Sequence, residues 1–488
     1  MAWYLTYTIV YFAVMFAIGF YYFFKVKTSD DYLIASWNMG FWSITGTIIS
    51  TCAGAAVFIG WVGMGYTVGV SGFMKFALPS MIFSMILIWF FSGPLRRQRL
   101  YTLADLFSER FGSRVGLIPS IFSAFIYSVP TTALQIVGMS TLFATVFGVP
   151  YNWAILLSFA LILGFTILGG LIATIVTDAL QSVIVIAGIF ILFFAAMRFA
   201  GGPAEIIANS DPAHLSLFGA GGASDVLIFA LTVGPFYLVW QSTWQRIFAS
   251  RTERIAIAAG MTGFGIFAVI AVLPYLIGLS AVQFVPEGMQ PDMLFSYLTV
   301  ELLPPALGGI VLIGLLSALM TGADSFILQG SSNLAEDFYR RLINPQATEP
   351  QKMAAARISV VIISVLSLMV AYLMTDIISA YQWALRLSTT TLVIPFLAVM
   401  FWPRATARGC AAAMILAIIV TIAWPLMGTG IDPVIPGVIV SLLALVIVSL
   451  MTEHSPEECP RAVYWDDLPT AETRGAPGEP EGAVMAAQ

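Results

Sequence analysis

The run Ser50-Thr51-Cys52-Ala53-Gly54-Ala55-Ala56-Val57 is followed by three more glycines, Gly60, Gly63 and Gly65. The run lies in an apolar stretch that is long enough to cross a membrane as a helix. Glycine frees backbone carbonyls in such a helix, and at membrane depth free carbonyls are tolerated only where they line a cavity or meet a ligand. The stretch therefore predicts a spanning helix that is broken at a binding site.

A second break is predicted where Gly234 and Pro235 lie inside another apolar stretch. Counted along the chain, the two broken spans are the second and the seventh. If spans 2 to 6 and 7 to 11 form two halves of opposite topology, each broken span is the first span of its half. This arrangement is expected when a solute and ion site forms between inverted repeats. The alternative is that these glycines only allow helices to pack closely.

The composition places the whole chain in a membrane. Of its 488 residues, 59% are hydrophobic and only 10% are charged, and the mean hydropathy is +0.93. A soluble domain carries about 25% charged residues, so this chain uses lipid as its solvent. The chain has no basic cluster or nucleic-acid motif, which argues against nucleic-acid binding. We therefore predict an all-α integral membrane protein.

Thirteen apolar spans can be separated by charge, proline and glycine. They start near residues 4, 41, 72, 115, 151, 172, 224, 255, 306, 353, 376, 408 and 433. This predicts a leading helix and loop (1–40), a first half (41–200), a second half (201–403), two trailing helices (404–452) and a disordered cytoplasmic tail (453–488).

The basic residues predict the orientation. All of them except Lys75, Arg198 and Arg386 fall on the loops or the tail of one side, which the positive-inside rule assigns to the cytoplasm. The first span has no basic residue before it and is predicted to be an uncleaved helix. We therefore expect a multi-pass protein of the plasma (cytoplasmic) membrane with its N-terminus outside and its C-terminus inside.

Several short segments together resemble one known family. They are Ser29-Asp30-Asp31-Tyr32-Leu33-Ile34-Ala35, Tyr101-Thr102-Leu103-Ala104-Asp105-Leu106-Phe107, Thr177-Asp178-Ala179-Leu180-Gln181, Trp240-Gln241 with Gln245-Arg246, Ala323-Asp324-Ser325 and Glu336-Asp337-Phe338-Tyr339. In this order they resemble the sodium/solute symporter family, which includes sodium/proline, sodium/glucose, sialic-acid and choline transporters. The resemblance covers roughly residues 1–455. It implies a five-plus-five inverted-repeat (LeuT-type) core with one leading and two trailing helices, and alternating access driven by sodium.

The resemblance also implies a sodium site. Its ligands would be the carbonyls of Ser50, Ala53 and Ala318 and the hydroxyl of Thr321. The chain departs from the family pattern at the next residue, Gly322, where a second Ser or Thr is usual. One ligand is thus missing, and a water or the carboxylate of Asp324 is the expected replacement.

Asp178 and Asp324 are the only acids well inside predicted spans. A buried carboxylate is costly unless it is paired or binds a cation, so both are functional candidates. Asp178 matches the residue that helps to hold a second sodium in some relatives. Asp324 and Ser325 share a helix face with Thr321. The alternatives for the two acids are a structural carboxylate and a protonated one.

The predicted solute site combines the two broken spans. Gly54, Ala56, Val57 and Phe58 are apolar where sugar-transporting relatives have polar side chains, so a polyol is not expected. In the seventh span, Phe236, Tyr237, Trp240 and Gln241 would supply aromatic walls and one amide. Aromatic faces can hold a quaternary ammonium, although they also serve as packing.

Arg386 points to an anionic partner. It lies about ten residues into the eleventh span, and a permanent cation at that depth needs an anion. Either it pairs with Asp178 or Asp324, or it receives the carboxylate of the solute through two hydrogen bonds.

The favoured function is a symporter that couples inward sodium flow to uptake of a small organic solute, a carboxylate or an amino acid. The competing interpretations are a choline-like quaternary-amine symporter, a proton-coupled transporter and a transporter-fold solute sensor. An enzyme is not expected, because the two histidines, His214 and His454, assemble no metal or triad cluster. No cofactor other than the coupling sodium is expected, and a monomer should suffice for transport.

Overall fold

The computed structural model describes residues 2–286, 288–373, 377–455, 458–459 and 461–463. Within these ranges the chain is helical and forms no β-strand. The membrane helices, numbered in chain order, are α1 (Ala2–Lys25), α2 (Phe41–Cys52), α3 (Ala56–Val68), α4 (Phe73–Arg97), α5 (Ser113–Phe147), α6 (Tyr151–Phe199), α7 (Gly222–Val233), α8 (Gln241–Ala249), α9 (Glu253–Ala281), α10 (Pro305–Ile343), α11 (Glu349–Leu373), α12 (Ile377–Phe401), α13 (Ala407–Ala423) and α14 (Val434–Met451). Short helices in the connections include Ser29–Ile34, Leu103–Phe111 and Leu294–Leu302.

The two predicted breaks are present. Helices α2 and α3 form one span that bends by 51° across residues 53–55. In the seventh span, a 3₁₀ turn at Gly234–Leu238 separates α7 from α8, and Trp240 has an extended backbone. Gly234 is needed there, because a Cβ on it would lie 2.5 Å from the ring of Phe83.

The 49-residue helix α6 provides two crossings. At 1.5 Å per residue it is about 74 Å long, whereas the hydrocarbon core is about 30 Å thick. Its backbone leaves the helical region at Gly170 (φ 57°, ψ −157°), where a Cβ would lie 2.6 Å from the carbonyl oxygen of Tyr32. Counted this way, the described helices supply thirteen candidate crossings, the number that the sequence predicted.

Helix α10 lies at the centre of the fold. Nearly every residue between Gly308 and Ser332 on it is buried, and it packs against α6, α5 and α1. Helix α2 packs against the second part of α6. The trailing helices α13 and α14 pack on each other and on α12 at one side. Residues from α2, α6 and α10 therefore face one another in the interior.

The first part of the tail is ordered, which corrects the prediction of a disordered segment from residue 453 onward. The amide of Cys459 donates to the carbonyl of Arg110 (2.9 Å), and the amide of Val463 donates to the carbonyl of Val399 (3.3 Å). Ala462 and Val463 are fully buried. The contacts are made mainly by the backbone, so no apolar repeat in the sequence announced them. Residues 464–488 lie outside the described residues.

Candidate functional site

The predicted sodium ligands meet where α2 ends. The hydroxyl of Thr321 on α10 donates to the carbonyl of Ser50 (3.0 Å) and lies 3.2 Å from the carbonyl of Ala318. All three residues are fully buried. Ala53 ends α2 one turn after Ser50, with its amide bonded to Ile49 and Ser50. The structure thus brings Ser50, Ala318 and Thr321 together, with Ala53 at the adjoining break.

The side chain beside Gly322 is that of Gln135 on α5. A Cβ placed on Gly322 would lie 3.0 Å from Cδ and Oε1 of Gln135. The same Oε1 accepts a hydrogen bond from the amide of Ala55 (2.9 Å), inside the break. Sequence reasoning missed Gln135. Its signal was a long amide side chain in the middle of a predicted span.

Asp178 on α6 lies in a polar cluster with residues of α2 that precede the break. Its Oδ2 accepts from the hydroxyl of Thr47 (2.5 Å), and Nη2 of Arg246 is 3.6 Å away. Arg246 also donates to the hydroxyls of Thr51 (2.9 Å) and Ser325. The guanidinium therefore joins α8 to α2, α6 and α10.

The burial of Arg246 corrects the sequence interpretation, which counted it among the basic residues of a cytoplasmic loop. It is 1% exposed, and every residue of α8 is buried. After the turn at Gly234–Leu238, α8 is surrounded by other helices. The contact with Asp178 depends on this packing, which local sequence spacing does not reveal.

Asp324 is the second acid of the interior. It is fully buried, and neither of its carboxylate oxygens has a hydrogen-bond partner within the described part of the chain. It is close enough to Arg246 to interact electrostatically. Two acidic side chains thus lie near one guanidinium, and a buried acid of this kind is a candidate ligand for a small cation.

A cavity of about 750 Å³ leads from the break toward one face of the molecule. Gly54 and Gln135 lie at its inner end, while Tyr151, Asp292 and Tyr372 lie near its mouth. Among the described lining residues, Asp292 is the only charged one. Partial burial raises the pKa of its carboxyl above the usual value.

The inner part of the cavity is lined by aromatic rings. Tyr127 packs against Phe326 edge to face at 5.8 Å, and Tyr237 packs against Trp240 at 5.4 Å. Tyr381 on α12 completes this wall. The inner end therefore combines aromatic ring faces with the backbone of the helix break at residues 53–55.

The predicted solute residues divide into two groups. Gly54, Ala56, Val57, Tyr237 and Trp240 line the cavity. The remaining four residues, Phe58, Phe236, Gln241 and Arg386, are not among its lining residues.

Three of these four pack inside the protein instead. Phe58 packs on Phe295 (5.2 Å between ring centroids), and Phe236 packs on Tyr127 (4.9 Å). Gln241 donates to the side chain of Asn333 (2.7 Å). We therefore leave Phe58, Phe236 and Gln241 out of the solute site.

Arg386 pairs with a residue that the sequence analysis did not consider. Its Nη2 is 3.3 Å from Oδ2 of Asp432, and its guanidinium lies 5.6 Å from the ring centroid of Trp383. This corrects the expected pairing with Asp178 or Asp324. Asp432 precedes α14, which packs against α12, so the two residues are neighbours in space although 46 positions separate them.

The opposite face is closed by a charged cluster. Arg341 at the end of α10 pairs with Asp105 and Glu109 of the helix Leu103–Phe111. Asp337 accepts hydrogen bonds from the hydroxyls of Thr102 and Ser120. The cavity is thus open on one side and sealed by ion pairs on the other.

Comparison with known proteins identifies relatives along most of the chain. The family model described as "Sodium:solute symporter family" matches residues 32–417. The chain is 28% identical over 479 residues to the osmoregulated proline transporter OpuE of Bacillus subtilis, covering 91% of this chain and 94% of that protein. It is 27% identical over 481 residues to a sodium/proline symporter of Staphylococcus aureus, covering 91% and 92% respectively.

Two solved structures share the fold. A substrate-bound, outward-open sodium-coupled sialic acid symporter superposes with a TM-score of 0.83 at 17% identity, over 93% of this chain and 99% of that one. Mhp1, a nucleobase-cation-symport-1 family transporter, gives a TM-score of 0.62 at 14% identity, over 89% and 98%. At these identities the likeness supports the fold alone.

Proposed function

Because the chain belongs to the sodium:solute symporter family and is a sodium-coupled solute symporter, we propose that its solute is a small zwitterionic amino acid of the proline class. The family and the structural neighbours are transporters. The relatives named proline transporters align along nearly the whole chain, which favours a solute of similar size and charge.

The observation that carries this proposal is the charge distribution of the cavity. Its inner end has the helix break and aromatic rings, and its one described charge, Asp292, is near the mouth. A zwitterion brings no net charge into such a site. Its carboxylate can lie at the N-terminus of α3, where the helix dipole favours an anion, and its apolar part can pack on Tyr237 and Trp240.

The proposed sodium site lies directly beside this solute site. Its ligands are the carbonyls of Ser50, Ala53 and Ala318 and the hydroxyl of Thr321. Asp178, Asp324 and Ser325 form a second candidate ion position, with Arg246 beside it. Because the proposed sodium carbonyls of α2 lie on one side of the short break and the proposed solute position at the start of α3 lies on the other, binding of either ligand orders the same backbone, and this links the two ligands.

We further propose the orientation and the transport state. With the N-terminus outside, the cavity mouth at Tyr151, Asp292 and Tyr372 faces the exterior. The cluster around Arg341 then faces the cytoplasm. The described conformation is thus an outward-facing state of an alternating-access cycle in the plasma membrane.

The test is uptake in proteoliposomes with an imposed sodium gradient. We expect radiolabelled proline to accumulate only with inward sodium, and unlabelled small zwitterionic amino acids to compete. Monocarboxylates and choline should not compete. Sodium-driven uptake of a monocarboxylate with no response to any amino acid would overturn the proposed solute class.

A quaternary amine is the second candidate, because the rings of Tyr127, Tyr237, Trp240, Phe326 and Tyr381 surround the inner cavity. Such faces attract an ammonium group. The same panel of solutes separates the two candidates. Sodium-driven choline uptake that proline does not inhibit would favour the amine.

A further inference from the structure

Gln135 fills the space beside Gly322. A Cβ on Gly322 would lie 3.0 Å from both Cδ and Oε1 of Gln135, which is tighter than an ordinary contact. A Ser or Thr at position 322, which is the family pattern, would place its hydroxyl in this same region. The side-chain amide of Gln135 and a hydroxyl on residue 322 therefore cannot both occupy this space.

The orientation of the Gln135 amide follows from its partner. Its Oε1 accepts a hydrogen bond from the amide of Ala55 at 2.9 Å, and only the oxygen of the side-chain amide can accept from an N–H group. The side chain is 2% exposed. An amide oxygen has two lone pairs, so one remains for another partner.

The position of this oxygen relates it to the proposed sodium site. Gly322 directly follows Thr321, and Ala55 lies two residues after Ala53. The Oε1 of Gln135 is thus next to both backbone segments that supply the proposed ligands. A buried carbonyl oxygen is the kind of ligand that a hard cation binds.

We propose that Oε1 of Gln135 is the fifth oxygen ligand of the sodium site and replaces the hydroxyl that Gly322 cannot provide. The inference rests on the proposed site formed by Ser50, Ala53, Ala318 and Thr321. It assigns to an amide on α5 the role that the resemblance gave to residue 322 on α10.

The test measures sodium binding to the purified full-length protein in the absence of solute. Binding is monitored by thermal shift, and N-methyl-D-glucamine replaces sodium so that the ionic strength stays constant. Gln135→Ala should raise the apparent sodium dissociation constant roughly tenfold, a loss typical of a residue that supports a metal site. The double variant Gln135→Ala/Gly322→Ser should recover most of this loss. Its matched control, Gln135→Ala/Gly322→Ala, should not recover it, because the two differ only by the hydroxyl.

An unchanged sodium constant in Gln135→Ala would overturn the inference, and so would equal constants in the two double variants. If Gln135→Ala does not fold, the comparison of the double variants, which refill the space, decides alone. Thr321→Val in the same assay separates this inference from the site on which it rests. If Thr321→Val weakens sodium binding and Gln135→Ala does not, only the inference fails. If neither does, the site itself is wrong.

Discussion

Thr321 is the residue on which the proposed sodium site depends most directly. Its hydroxyl lies between the carbonyls of Ser50 and Ala318. Thr321→Val keeps the shape of the side chain but removes the oxygen, so we expect the sodium concentration for half-maximal uptake to rise by roughly tenfold or more. Sodium-dependent proteoliposome uptake measures this.

Thr131→Val is the matched control for Thr321→Val. Thr131 also lines the cavity and is buried, but its hydroxyl donates to the carbonyl of Tyr127 on its own helix. We expect its sodium dependence to equal that of the wild type. If both valine variants behave like the wild type, Thr321 is not a sodium ligand.

Asp178 and Arg246 form a buried ion pair with side chains that are 0% and 1% exposed. Removing one partner of such a pair leaves a buried charge and typically costs about 3–5 kcal/mol. We expect Asp178→Asn and Arg246→Gln each to lower the thermal unfolding temperature in detergent. The double variant should be less destabilised than the sum of the singles, since neither charge then remains unpaired.

The double-mutant cycle can contradict this interpretation. Purely additive losses would mean that Asp178 and Arg246 do not stabilise each other. Asp178→Asn with wild-type stability would point to an acid that is already neutral in the resting protein.

For individual residues, motifs in the sequence indicated which residues matter but not which residues they contact. The break and the family motif predicted that Ser50, Ala318 and Thr321 lie together, and the structure brings them together. Arg246 and Gln135 were missed, since their contacts depend on how helices α8 and α5 lie after a bend. Arg386 was correctly expected to have an anionic partner, but that partner, Asp432, comes from another helix connection.

Among the elements, α6 depends on one glycine. Gly170 has a φ of 57°, and a Cβ there would lie 2.6 Å from both the ring and the carbonyl oxygen of Tyr32. Gly170→Ala therefore adds a backbone penalty of about 1–2 kcal/mol and a steric clash. We expect a marked fall in the unfolding temperature and in membrane expression.

Gly164→Ala is the control on the same helix. A Cβ on Gly164 would make an ordinary contact of 3.4 Å with the ring of Phe16, and its φ is not positive. Alanine also favours a helix over glycine by roughly 1 kcal/mol, so stability should stay the same or rise. Equal effects of the two substitutions would show that the kink at Gly170 is not required.

The positions of the helices and their breaks could be predicted from the sequence better than the packing of these elements. Glycine and proline mark the breaks at residues 53–55 and 234–238, because these residue types disfavour a continuous helix. The sequence also divided α6 into two spans, which start near residues 151 and 172. The burial of α8 and the packing of residues 458–459 and 461–463 were not predictable, since both depend on contacts that form only in the assembled fold.

For the whole molecule, the cavity is open on one side and ion pairs close the other, which corresponds to the outward-facing state under the proposed orientation. Arg341 on α10 holds the helix Leu103–Phe111 through Asp105 and Glu109. These contacts must break for the inner side to open. The inner cluster therefore sets part of the free-energy difference between the outward-facing and inward-facing states.

Arg341→Gln should shift this equilibrium toward the inward-facing state. Cys52 reports the shift, because it lines the cavity beside the helix break, while Cys410 is fully buried. In inside-out vesicles carrying Cys459→Ser, a membrane-impermeant maleimide should alkylate Cys52 roughly fivefold faster in Arg341→Gln, since a shift of about 1 kcal/mol raises a minor population by that factor. Lys352→Gln, which removes an ion pair within α11 alone, should leave the rate unchanged.

No acceleration in Arg341→Gln would mean that the charged cluster does not hold the inner side closed. Faster alkylation of the wild type in inside-out vesicles than in right-side-out vesicles would reverse the proposed orientation.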